Sequence, residues 1–118
     1  MNLLAQKISN HVYEIDSKQR KKIHVAAVLV NNFTNHLYHL GYNFLDENNI
    51  NPQILFPLIK ETALRIDEVS PYLAQTGPAK RHDLKTIENH LELLKSPITK
   101  EIYTLLSRSI SDIYEKKL

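Results

Sequence analysis

From Ser17 to about Asp46 the chain keeps the periodicity of one long helix, and this run constrains the fold more than any other feature. At about 100° per residue, Ala26, Leu29, Val30, Phe33, Leu37, Leu40 and Phe44 form a wide apolar arc. Ser17, Arg20, His24, Asn31 and Asn35 fall on the opposite arc, with Asn32 and His39 flanking them. The segment VAAVLV, Val25 to Val30, is apolar on nearly all sides, so the helix is expected to be central and buried. Asp16 or Ser17 can cap its start, with Gln19 placed for a capping box. A helix of that length in a chain of 118 residues leaves room for one domain built around it.

The rest of the pattern is helical too. ENNIN reads as a turn, and Asn51-Pro52 as the cap and first position of a second helix reaching about Val69, kinked near its start by Pro57. SPYLAQ fits one short helical turn. Asp83 caps a helix to about Lys95, and Ser96-Pro97 opens a last one with Ile98, Ile102, Leu105, Ile110 and Ile113 near one face. The expected class is therefore all-α, a helical bundle around one long central helix. Residues 1–16 differ: LLAQKIS is a short helical pattern and HVYEI is strand-like. A lone strand cannot satisfy its own backbone, so this piece reads as the end of a missing sheet, with residues 17–118 as the helical domain. Whether Met1 is a natural start is left open by the residues.

Composition excludes several functions. Two glycines stand far apart, Gly41 and Gly77, so neither a Rossmann nor a P-loop phosphate turn can be built within the chain. A net charge of +2 with basic residues scattered along the sequence argues against nucleic acid. There is no cysteine, so disulfide and thiolate chemistry are excluded. No apolar run approaches the roughly 18 residues of a membrane span, and the start lacks the apolar core of a signal peptide. A cytoplasmic protein is expected.

Two stretches carry polar chemistry. On the long helix, His24 and the asparagines from Asn31 to Asn43 either form a solvated stripe or line a polar groove; each amide can both donate and accept. His36 and His39 stand three residues apart, but no acid completes a ligand set beside them, so no metal site is expected. His11, His82 and His90 read as surface or capping residues. The other stretch is TGPAKRHD, Thr76 to Asp83. Gly77-Pro78 makes it stiff, and Lys80, Arg81 and His82 can carry positive charge near a helix start that attracts anions. It is either a well-made connector or a binding loop.

SKQRKKIHVAAVLVNNFTNHLY, PLIKETALRI and AQTGPAKRHDLKTIENHLELL together resemble the domain of unknown function 2520, over Asp16 to about Tyr114. That helical domain follows a Rossmann-like domain in proteins assigned as NADP-dependent oxidoreductases, and the resemblance implies that residues 2 to 15 close such a domain. The layout is similar to pyrroline carboxylate reductase and the β-hydroxyacid dehydrogenases, and implies a helical domain of the 6-phosphogluconate dehydrogenase C-terminal type that forms the dimer and closes the substrate cleft. The β-hydroxyacid dehydrogenases carry H-x-x-K-x-x-x-N on the helix after the Rossmann domain. The matching span here is His24-x-x-Ala27-x-x-x-Asn31, in which Ala27 replaces the lysine that is their general acid. His24 is then a candidate proton donor, or equally a hydrogen-bonding residue, since imidazole titrates near neutral pH.

The resemblance implies a substrate-binding and dimerisation domain of an NAD(P)-dependent oxidoreductase, not catalytic alone. NADP or NAD would be held mainly by the missing N-terminal domain. The expected partners are a second copy, a Rossmann-like domain and a small polar substrate, with no nucleic acid and no membrane. The candidate site comprises His24, Asn31 or Asn32, Thr76, Gly77, Arg81 and Asp83. The alternative is a stand-alone helical interaction module without chemistry.

Overall fold

A computed structural model of the chain describes residues 16–115. Among them the secondary structure is helical throughout, as expected for an all-α helical bundle. HVYEI and the short pattern before it lie outside the described residues. Contacts divide the chain into two compact units, residues 1–41 and 42–118.

In the first unit, α1 spans Ser17–Ala27. Asp16 caps it: its carboxylate accepts from the Gln19 amide at 2.8 Å, and the Gln19 side chain accepts from the Asp16 amide at 3.0 Å. That reciprocal pair satisfies two of the donors a helix start leaves open. The helix does not continue in α geometry as the periodicity predicts. Val28–Asn32 form a π-helical turn, in which the Phe33 amide donates to the Val28 carbonyl five residues back. The α form resumes as α2, Phe33–Glu47. The helical run thus reaches the expected length with one wider turn inside it.

The second unit begins within α2. That helix ends where Asn49 takes a left-handed conformation, φ 60°, a conformation asparagine tolerates. The Asn48 side chain donates to the Phe44 carbonyl at 2.7 Å, covering one of the open acceptors of the last turn. Asn51 then caps a 3₁₀ turn, Pro52–Leu55, accepting from the Gln53 amide at 3.0 Å. Pro57 sits in the first turn of α3, Phe56–Leu64, where its missing donor costs nothing. A second 3₁₀ turn, Arg65–Asp67, closes that element. Ser70 caps the short α4, Pro71–Ala74; Asp83 caps α5, Leu84–Leu93; Ser96 caps α6, Pro97–Ile113.

Little of this is buried among the described residues. Ala79, at 5% exposure, is the buried apolar residue among those described. The segment expected to be buried is open: Val25 is 62% exposed and Val30 69%. Leu58, Leu64 and Ile66 are open in the second unit as well. The apolar arc of the long helix is real, yet the described residues do not cover it. Single exposed apolar side chains are ordinary, but rows of them at helical spacing mark surfaces that pack on something else.

Candidate functional site

The loop from Gln75 to Asp83 is closely held within the second unit. Gly77 has φ 105°, open to glycine and unfavourable for L side chains, and His82 is left-handed at φ 56°. The Asp83 amide donates to the Pro78 carbonyl at 2.9 Å, and the His82 amide to the Ala79 carbonyl at 3.2 Å, so the loop closes on itself. It is then tied to the end of α6. The Ser111 hydroxyl donates to the Ala79 carbonyl at 3.1 Å, and His82 Nε2 donates to the Tyr114 carbonyl at 3.0 Å. A carbonyl only accepts, so the proton must be on Nε2 of His82. Tyr114 stacks on Tyr72 at 4.8 Å between ring centres, and its hydroxyl donates to the Tyr72 carbonyl. Burial, with Tyr72 beside it, raises the Tyr114 phenol above its ordinary value.

The three basic residues of the loop divide by role. Lys80 donates to the Gln75 carbonyl at 3.0 Å and lies 5.2 Å from the centre of the Tyr114 ring, a cation–π position. His82 is the tie to α6. Arg81 points outward, its side chain 62% exposed, and stands 3.9 Å from the Asp83 carboxylate. A pair that open contributes little to stability.

Asp83 is occupied as the cap. It accepts from the Thr86 hydroxyl at 2.7 Å and from the Thr86 amide at 3.1 Å. These bonds, the hydroxyl first, hold its carboxyl below the ordinary value against a partial burial that raises it, with Arg81 adding a smaller pull. The start of α5 therefore carries its own carboxylate, which already takes the place an anion would seek there.

Thr76, Gly77, Arg81 and Asp83 are thus brought together in one loop of the second unit. Thr76 is exposed, and its carbonyl accepts from the Gln75 side chain at 3.0 Å. His24, Asn31 and Asn32 belong to the first unit: His24 in the last turn of α1, the two asparagines in the π turn, all three exposed. His36 and His39 lie with ring centres 6.1 Å apart on α2. No group of three or more His, Cys, Asp or Glu among the described residues could hold a metal. Sequence reasoning missed Ser111, Tyr72 and Tyr114, which hold the loop; they stand 32 to 42 positions from their partners, and periodicity carries no signal of such pairing.

An open groove of about 490 Å³ lies along α5 and α6, lined by Leu91, Lys100, Glu101, Thr104, Leu105 and Arg108. None of the candidate residues lines it.

A family model described as a domain of unknown function (DUF2520) matches residues 1–110. The chain belongs to this family. Among curated proteins none matches the DUF2520 chain. Among solved structures, a crystal structure from Bacteroides fragilis, titled as that of a "putative NADP oxidoreductase", is similar at 47% identity and a TM-score of 0.80. The match covers 83% of the DUF2520 chain and 38% of the other, so the chain spans well under half the length of that protein. No helix among the described residues is long and apolar enough to cross a membrane.

Proposed function

We propose that this chain is the C-terminal helical domain of an NADP-dependent oxidoreductase, supplying dimer contacts and one wall of a substrate cleft and not catalysing hydride transfer alone. The observation that carries the reading is the 47% identity over 83% of this chain to a protein of more than twice its length, titled for NADP oxidoreduction. The lack of any glycine-rich phosphate turn supports assigning the cofactor to another domain. In this reading residues 1–16 close the Rossmann-like domain.

The open apolar rows support the dimer. Leu29, Phe33 and Leu37 present one face of the long helix, and such a face is stable only when covered. In the first unit His24, with one asparagine of the Asn31–Asn32 pair, is the candidate to meet substrate; in the second the candidate is the loop bearing Thr76, Gly77, Arg81 and Asp83. His24 would hold or donate a proton, and Arg81, the cation of the loop left pointing outward, would meet a carboxylate on the substrate.

The test is direct. Calorimetry on the full-length protein should detect NADP+ binding in the micromolar range, and on the 118-residue chain none below millimolar. Sedimentation of either at micromolar concentration should show a dimer. Tight NADP+ binding by the short chain, or monomer only, would sink the reading.

A further inference from the structure

We infer that the π turn decides which asparagine serves the cleft: Asn32 shares the face of His24, and Asn31 is carried away from it. The inference rests on the cleft wall proposed above and names one residue of it.

Helical phase separates the two asparagines. In an unbroken α-helix Asn31 would lie about 20° around the axis from His24, and Asn32 about 80°. The structure replaces that geometry from Val28 to Asn32, where the Phe33 amide reaches back to the Val28 carbonyl. A π turn takes up one more residue than an α turn, so each of its residues advances only about 80°. Five such steps lag the α wheel by about 90°, which places Asn32 within about 10° of His24 and swings Asn31 to about 90°. The lag persists beyond the turn. His36 comes within about 30° of the His24 line, and Asn35, aligned with it on the α wheel, moves about 70° away.

A stripe results from residues that the α wheel scatters: Ser17, Arg20, His24, Asn32, His36 and His39 follow one line along the first unit. The same lag gathers Val25, Leu29, Phe33 and Leu37 into a narrow apolar row about a quarter turn away. One wide turn thus sharpens both faces. Asn31 already has an interaction partner within the structure. Asn32 is exposed. By rise alone His24 and Asn32 stand roughly 12 Å apart along the axis, a span only a bound molecule would bridge. The chemistry offered along it, an imidazole and an amide able to donate and accept, suits an extended polar molecule such as a nicotinamide with a carboxylate substrate beside it.

The chain has no cysteine, so single thiols report their own surroundings. His24→Cys, Asn31→Cys and Asn32→Cys would be made separately in the full-length protein. Each would be labelled with a small methanethiosulfonate, with and without saturating NADP+, and the rate read by mass spectrometry on the peptide carrying the thiol. The expected result is several-fold protection at 24 and 32 and none at 31. Protection at 24 and 31 without 32, at 24 alone, or equally at 31 and 32 overturns the inference. No protection at 24 overturns the cleft wall itself, and the inference falls with it. Should a thiol variant misfold, Asn31→Ala and Asn32→Ala titrated with NADP+ give a second readout. Weaker binding from Asn32→Ala alone agrees; weaker binding from Asn31→Ala, equal effects or no effect overturns it.

Discussion

The two glycines should respond to alanine with opposite signs. A Cβ built on either one meets no atom within 4 Å, so added bulk is not what separates them. Backbone conformation is. Gly77 has φ 105°, where an L side chain crowds its own backbone; holding a residue in such a region costs about 1–3 kcal/mol. Against this, alanine restricts the unfolded chain and returns about 0.4–1 kcal/mol. Taking the middle of both ranges, the net for Gly77→Ala is a loss of about 1.3 kcal/mol, or a fall in Tm on the order of 4–8 °C for a domain of this size. Gly41 lies in the interior of α2, where glycine is worse than alanine by about 0.5–1 kcal/mol, so Gly41→Ala should raise Tm by a few degrees. Thermal and urea melts followed by far-UV circular dichroism would read both. A neutral or stabilising Gly77→Ala would refute the argument from backbone strain. A Gly41→Ala that destabilises would show that something in solution approaches that helix closely enough to need the missing Cβ, as a tightly packed second copy would.

Three further outcomes are expected. Ser111→Ala removes the hydroxyl that donates to the Ala79 carbonyl and should cost about 1 kcal/mol in urea melts; a change below a few tenths would mean that bond is replaced by water at no loss. The carboxyl of Asp83 is held below its ordinary value in the folded chain, so the stability it contributes is present above the unfolded pKa of about 3.9 and is lost as pH falls through the lower folded value. Melts at stepped pH should therefore show Asp83→Asn, which still caps, with a shallower loss of stability in the acid range than the parent; parallel profiles would count against the shifted carboxyl. Phe33→Glu places a charge in the open apolar row of the long helix and should convert dimer to monomer in sedimentation, whereas an unchanged dimer would place the contact elsewhere.

The caps were legible because capping is local. Asp16, Asn51, Asp83 and Ser96 each accept from an amide two or three residues on, and a chain read in order displays that spacing directly. The π turn was not legible for the opposite reason. VAAVLV is apolar all round, so no position within it reveals a slip of phase, and no glycine or proline marks the place. The burial expected of that segment is also not found among the described residues, because a pattern of apolar residues states that a face must be covered and not by what. In the loop, stiffness at Gly77-Pro78 and the cap at Asp83 could be read. The sorting of its cations could not: Lys80 and His82 are committed to Gln75 and Tyr114 by folding, and side-chain type alone makes them equivalent to Arg81.

The π turn also has a consequence for descent within the family. Such a turn holds one residue more than an α turn over the same arc. A relative lacking one residue between Val28 and Asn32 would wind through in plain α-helix, with everything downstream in the same place. When family members are aligned, a single-residue gap at this point would then mark gain or loss of the wide turn, and not a break in the helix. Scoring it as an ordinary deletion would misplace Asn31 against Asn32 in those relatives.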